Sequence, residues 1–431
     1  MYLKINLYPR FSVISILVCV SISVYAQIPS LPPDEESDVH FYGSGLLIKE
    51  TKNASLSVSL FGTTRYLNQR GLEDSYTFAD GNIISLDKRN DVQFQKVMLY
   101  FKGWLYNPKF RYLFYAWTSN TNLGLGAQVV VGGNFQYEIK PYLDVGVGIG
   151  GLPSSRAMYG QWPGWLRQDA RPMAEEFFRA SFTTGIWAQG AITDNIFYKT
   201  MLGNNLSQLG VDAGQLDNDF DSFSAALWWT TGNFGRYAPY GDYEHHESLA
   251  TMLGAAYTRS NETPQSQPGT EDPENSQIRL SDGRTIFNRG VFGPDVQVTK
   301  ATYQMNSING SVKYQGFSAS AEYYLRWVSN FRTNNNAPVD HLFDSGFYLK
   351  SSYMLVKKTL MGYAFGSKIF GEYGDPYELG LGVNWYAFKD KSFRINTELI
   401  HVDNSPVGYF SYPMVVGAQG VIFMLNLELF Y

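Results

Sequence analysis

The chain has 431 residues, a formal net charge of −5 and one cysteine. The acidity argues against a nucleic-acid partner, and a lone thiol excludes disulfide frameworks and Cys-ligated metal sites. Aromatic residues reach 16% with no long apolar run after residue 26, which disfavours membrane helices and fits the aromatic girdles of a transmembrane barrel.

Lys4 and Arg10 precede an apolar run over 11–25, and Ala26 follows as a small residue at the cut. This reads as a secretory signal peptide, cleaved after Ala26; it falls short of the ~20 apolar residues of a membrane helix. Cys19 lies inside it. Val18 stands where a lipoprotein signal has a small residue, so no lipid anchor is expected. Cleavage removes two cations and no acid, taking the charge to −7. Residues 27–54 read as a short periplasmic lead, stiffened by Pro29, Pro32 and Pro33 and solvated by Asp34, Glu35, Glu36 and Asp38.

From residue 55 the chain alternates with a period of two, broken by turn signals. Strands are predicted at 55–66, 92–106, 108–119, 127–139, 141–151, 178–191, 194–204, 221–232, 248–259, 302–314, 316–328, 344–357, 359–372, 376–388, 391–403 and 416–431. Their number, about sixteen, is even, as a single-chain outer-membrane barrel with both termini in the periplasm requires. Connections alternate between short turns such as Asn107-Pro108 and Gln315-Gly316 and long loops such as 67–91, 152–177 and 260–301. The segment 233–247 departs from this, being long where a short turn is due. The segments 120–126 and 373–375 are brief for external loops.

Individual strands are two-faced. In 92–106, Lys96, Met98, Tyr100, Lys102 and Trp104 oppose Val97, Leu99, Phe101, Gly103 and Leu105. In 391–403, Arg394, Asn396, Glu398 and Ile400 oppose Phe393, Ile395, Thr397, Leu399 and His401. Charge on one face points into an aqueous lumen, because a basic residue against lipid costs ~2–4 kcal/mol at the midplane. The last strand carries Val421, Phe423, Leu425, Leu427, Leu429 and Tyr431 on one face and Ile422, Met424, Asn426, Glu428 and Phe430 on the other. The apolar set with its terminal aromatic reads as an outer-membrane assembly signal for the barrel assembly machinery. The predicted fold is all-β, an antiparallel up-and-down barrel over 55–431.

Several motifs reduce to structure. Gly146-Val-Gly148-Ile-Gly150-Gly151 matches a dinucleotide pattern, but Pro153 follows where a helix is required; a glycine-dented barrel wall is expected. Asp217, Asp219 and Asp221 alternate like calcium ligands, yet Ser222 and Trp228 occupy the expected glycine and bidentate-acid positions, so a solvated loop is expected. His245 and His246 are adjacent, point apart on extended chain and are read as part of a periplasmic turn. No metal site, cofactor or catalytic constellation is expected.

The loop 152–177 is the strongest functional candidate. It holds Arg156, Arg167 and Arg171, with Arg179 just after it, against Asp169, Glu175 and Glu176. It also holds Trp162, Pro163, Trp165 and Pro172. Such content favours a packed loop folded into the lumen, where its charges set selectivity. Lys96 and Lys102 are candidate lumen-wall cations.

The chain resembles the phosphate-selective porin O and P family of outer-membrane channels. The residues that carry this are Tyr42-Gly43-Ser44-Gly45-Leu46 with 55–62, Val92 to Val97 through Phe101-Lys102-Gly103, Asn107-Pro108-Lys109-Phe110, Phe177-Phe178-Arg179, and Gly185 through Asn205. The pattern is diffuse and covers most of the mature chain. The resemblance implies a sixteen-stranded barrel, commonly trimeric, with an inward third loop and a basic pore. The mix of arginines and acids in the loop departs from that last feature. The expectation is a porin in the outer membrane of a Gram-negative cell, in contact with lipid and lipopolysaccharide, passing small hydrophilic solutes with an anion or phosphate preference. The alternative is a non-conducting barrel acting as an adhesin or as a subunit of a larger envelope complex; a barrel enzyme such as a lipid hydrolase has little support.

Overall fold

A computed structural model describes residues 45–119, 128–159, 165–168, 170–208, 219–237, 239–265, 273–335, 339–408 and 413–431. The signal peptide, Cys19, Trp162, Pro163, Asp169 and Asp217 lie outside the described residues. The strands are β1 (Leu46–Thr51), β2 (Ala54–Leu72), β3 (Ser75–Thr77), β4 (Ile83–Ser85), β5 (Asn90–Leu105), β6 (Asn107–Ser119), β7 (Gln128–Lys140), β8 (Leu143–Gly151), β9 (Phe182–Thr193) and β10 (Ile196–Gly203). They continue as β11 (Ser222–Thr231), β12 (Ala250–Glu262), β13 (Val298–Tyr314), β14 (Phe317–Thr333), β15 (His341–Val356), β16 (Leu360–Phe370), β17 (Tyr377–Trp385), β18 (Phe393–Asp403) and β19 (Gly420–Phe430). One short helix, α1 (Met173–Phe178), precedes β9.

Each strand from β5 to β19 pairs antiparallel with its sequence neighbours, β2 pairs with β5, and β19 pairs with β2. The result is a closed barrel of sixteen strands, which satisfies every ladder position without an edge. The seam closes where Leu60 and Tyr431 exchange backbone hydrogen bonds of 2.7 and 2.8 Å. All sixteen predicted strands are present. The one predicted at 178–191 starts later, at Phe182, after α1 ends at Phe178. β3 and β4 form a separate hairpin in the first external connection. β1 adds a strand within the 27–54 lead and pairs with the start of β2.

The two faces of the wall obey the dyad pattern. On β19, Val421, Phe423, Leu425, Leu427, Leu429 and Tyr431 are 39–54% exposed, whereas Ile422, Met424, Asn426, Glu428 and Phe430 are at most 6% exposed. The first set forms the apolar outer face of the barrel and the second faces its interior.

That interior is filled from both ends. The connection between β8 and β9 folds inward and packs Leu152, Met173, Phe177 and Phe178 against Tyr324, Tyr348 and Ile369 of the wall. Part of the β12–β13 connection covers it, with Gln277 Nε2 donating to the Arg179 carbonyl at 2.7 Å. At the opposite end the anomalous connection between β11 and β12 is not a loose turn. It crosses beneath the barrel to the turns of two other hairpins, β13–β14 and β17–β18. Gln315 N donates to the His246 carbonyl at 2.7 Å and Gly316 N to Asp242 Oδ2 at 2.7 Å. Glu244 pairs with Lys391 at 2.6 Å. Tyr243 packs edge-on against Tyr386 at 4.8 Å.

Candidate functional site: the inward loop and the wall it faces

The inward loop leaves β8, makes a single 3-10 turn at Arg156–Tyr159, and returns through α1 to β9. A short helix has backbone N–H groups with no partner inside it. Pro172 at the N-cap offers no side-chain acceptor. The wall supplies them instead: Met173 N donates to Glu378 Oε1 at 2.5 Å and Ala174 N to Ser367 Oγ at 3.2 Å. Wall donors also take loop carbonyls. Arg394 reaches the Trp165 carbonyl at 2.8 Å, Asn384 that of Leu166 at 2.9 Å, and Arg65 that of Gln168 at 3.1 Å.

All four predicted arginines are buried, and each meets a carboxylate. Arg167 Nε donates to Glu398 at 3.2 Å while its Nη1 lies 3.6 Å from Glu378, and the guanidinium sits 4.2 Å above the Phe365 ring. Arg156 donates its backbone N–H to Glu322 at 3.1 Å and its Nη1 to Ser320 at 2.6 Å, and its guanidinium lies 4.0 Å from the ring of Tyr240. Tyr240 belongs to the segment entering from the other end, so the two insertions meet inside the barrel. Arg171 lies 3.4 Å from Glu176 and 4.0 Å from Glu175. Arg179 grips Glu176 with two bonds of 2.7 and 2.9 Å. Glu175 accepts from Ser155 at 3.0 Å and lies 3.7 Å from Lys350. Burial alone would raise the Glu176 carboxyl, but the guanidinium of Arg179, and then that of Arg171, holds it below the ordinary carboxylate range.

Acids meet the guanidinium groups of Arg167, Arg171 and Arg179, whereas that of Arg156 faces Ser320 and the Tyr240 ring. Glu378, Glu398 and Glu322 are wall residues. Their charge on inward strand positions was the available signal, but nothing in the local sequence linked them to the loop.

The interior is asymmetric. The inward side chains of β17 to β19 that hold the loop (Glu378, Asn384, Arg394, Asn396, Glu398, Asn426) are fully or nearly fully buried. On β5 and β6 the inward side chains are mixed: Gln95, Tyr100 and Leu113 are buried, whereas Met98, Lys102, Arg111, Tyr115 and Trp117 stay part-exposed. Lys96 is more deeply seated, with Nζ 5.0 Å from the centre of the Trp117 ring. Arg111 pairs with Glu138 at 3.2 Å and Asp144 at 3.6 Å.

The glycine motif lies inside β8, where the indole of Trp187 covers Gly146 so closely that a Cβ there would come within 2.1 Å of the ring. It is a dent that seats an aromatic side chain. His246 turns to Asp242, which accepts from its ring nitrogen.

No family model matches the chain, and no curated protein matches it in sequence. Among solved structures it is similar to OmpT of Vibrio cholerae, at 11% identity over 89% of this chain and 100% of that one, with a TM-score of 0.53. An anion-selective porin from Comamonas acidovorans aligns at 10% identity over 88% and 100%, with a TM-score of 0.54. OmpF from Salmonella typhi aligns at 10% identity over 90% and 100%, with a TM-score of 0.52. At such identities the likeness is one of fold. The chain has the sixteen-stranded barrel architecture of outer-membrane porins.

Proposed function

We propose that this protein is a passive outer-membrane porin for small hydrophilic solutes. The observation that carries the reading is the asymmetric interior: a loop packed on one wall opposite the part-exposed wall of β5 and β6. A barrel of sixteen strands is wide enough to keep an aqueous path beside such a loop. The same reading puts the chain in the outer membrane of a Gram-negative cell, with the signal cleaved after Ala26. Its lipid-facing bands meet lipid and lipopolysaccharide, and it works as a homotrimer. Phe423, Leu425, Leu427, Leu429 and Tyr431 serve the assembly machinery.

A preference for anions, and the phosphate preference that the family resemblance implies, rests on Lys96 and Lys102 of the part-exposed wall. Arg156, Arg167, Arg171 and Arg179, with Glu175 and Glu176, shape the constriction, because Arg167, Arg171 and Arg179 are paired with acids of the loop and its wall. The test is single-channel recording in planar bilayers, followed by the reversal potential in a salt gradient. Discrete conductance with a mild anion preference is expected; a silent barrel sinks the channel.

A second reading, a non-conducting barrel acting as an adhesin or within an envelope complex, is favoured by the segment 232–249, which crosses the periplasmic end. Electrical silence together with a stoichiometric co-purifying partner would select it.

A further inference from the structure

Glycines on β7 and β8 seat aromatic rings that reach across from the neighbouring strands β6 and β9. A Cβ on Gly132 would lie 2.4 Å from Tyr115 Oη, and one on Gly146 or Gly150 would lie 2.1 or 3.1 Å from the Trp187 indole. The two rings are therefore laid down across neighbouring strands. The packed wall shows what this arrangement does. There Phe365 lies on Gly380 in the same way, and its other face carries the planar guanidinium of Arg167 at 4.2 Å. Tyr115, bedded on glycine and part-exposed, offers its face to the interior; Trp187 is bedded in the same way but buried.

Tyr115 stands directly across from Tyr100, with ring centroids 6.3 Å apart, and Trp117 stands across from Met98. Tyr115 and Trp117 are alternate residues of β6, about 7 Å apart along the strand. Asn134 and Gln136 lie behind these rings on β7, buried and joined by a 3.1 Å hydrogen bond, so they back the surface instead of forming it.

We propose that this wall is a track for neutral saccharides, on the reading that the barrel conducts. The C–H face of a pyranose stacks on the rings of Tyr115 and Trp117, and its hydroxyl rim takes hydrogen bonds from Lys102 and Arg111, which are part-exposed on the same inward wall. Flat aromatic faces beside a few placed polar groups are the usual make-up of a small-molecule site. An inorganic anion fits less well. Arg111 already faces Glu138 and Asp144. Lys96 and Lys102 are six residues apart, about 20 Å along the strand, too far to grip one anion together.

The experiment is single-channel recording with maltohexaose as the probe. Wild type should show transient blockades whose residence time falls roughly 2- to 10-fold in Tyr115→Ala and in Trp117→Ala, the range expected for one aromatic contact. An open channel that maltohexaose never interrupts overturns the proposal while leaving the porin reading intact. So do blockades equally long in both variants, or inorganic phosphate blocking as well as the sugar. If the barrel is silent, titration of its tryptophan fluorescence with maltohexaose decides. A saturable change, weakened in Tyr115→Ala, supports the track without the channel, and a flat titration removes it.

Discussion

Arg167 of the inward loop donates to Glu398 of β18 at 3.2 Å, and each side chain is only 1% exposed. The pair joins residues 231 positions apart and fastens the loop to the wall. Removing one partner of a buried pair leaves the other charge unmatched, at a cost of about 3–5 kcal/mol. Glu378, 3.6 Å from the same guanidinium, would be stranded as well. Arg167→Gln should therefore loosen the loop while the sixteen-stranded ladder persists. The expected readouts are noisier, larger single-channel currents and a lower temperature for loss of the heat-modifiable form on gels. Currents indistinguishable from wild type would mean that the loop is held by other contacts.

The wall lysines make a separate prediction. Lys102 is part-exposed on the inward face of β5. Its field acts within a Debye length of about 10 Å at 0.1 M salt. Lys102→Glu should move the reversal potential toward cations, more at low than at high ionic strength, with folding yield unchanged. An unmoved reversal potential would remove Lys102 from the conducting path.

Gly146 tests the dent in the wall. A Cβ there would lie 2.1 Å from the Trp187 ring, which is itself buried. Gly146→Val should cost about 1–3 kcal/mol through overpacking, read as a lower midpoint of urea unfolding from lipid vesicles. An unchanged midpoint would show that the indole has another position available.

The terminal residue closes the ladder, since Tyr431 and Leu60 exchange both backbone bonds. Deleting Tyr431 removes that pair and the last outward aromatic. Outer-membrane yield in cells should drop several-fold, with a smaller effect on refolding in detergent. Equal losses in both settings would assign the residue to stability alone, and not to recognition by the assembly machinery.

The strands were legible because period-two alternation is local: Arg394, Asn396 and Glu398 could be placed on one face without knowing what they touch. The loop's packing was legible from Trp165 and Pro172. Its partners were not, because Glu398, Glu378 and Glu322 come from strands far along the chain, and only barrel closure brings them to Arg167 and Arg156. The segment 233–247 announced itself by length. Its destination did not, although Phe234, Tyr237, Tyr240 and Tyr243 mark it as a packing segment. β1 was hidden in a polar lead because its three apolar residues, Leu46, Leu47 and Ile48, are too few to set a period.

That same segment carries a pH dependence. Asp242 is fully buried and accepts from Gly316 N at 2.7 Å and from the His246 backbone at 3.1 Å. Burial would raise its carboxyl, but the His246 ring and these N–H donors outweigh it and hold it below the ordinary carboxylate range. A depressed carboxylate stabilises the fold at pH above its unfolded value of about 3.9 and loses that contribution as pH falls through the lower folded value. Below about pH 4 the 232–249 segment should therefore loosen from the turn at Gln315-Gly316, while the barrel ladder, made of backbone bonds, remains. Limited proteolysis across pH 3 to 7 checks this, with cleavage within 232–249 rising only at the acid end. Asp242→Asn, which keeps the shape but loses the charge, should be cleaved at neutral pH as readily as wild type is in acid. Protection of that variant at every pH would show that the backbone bond from Gln315 to His246 suffices to hold the segment in place.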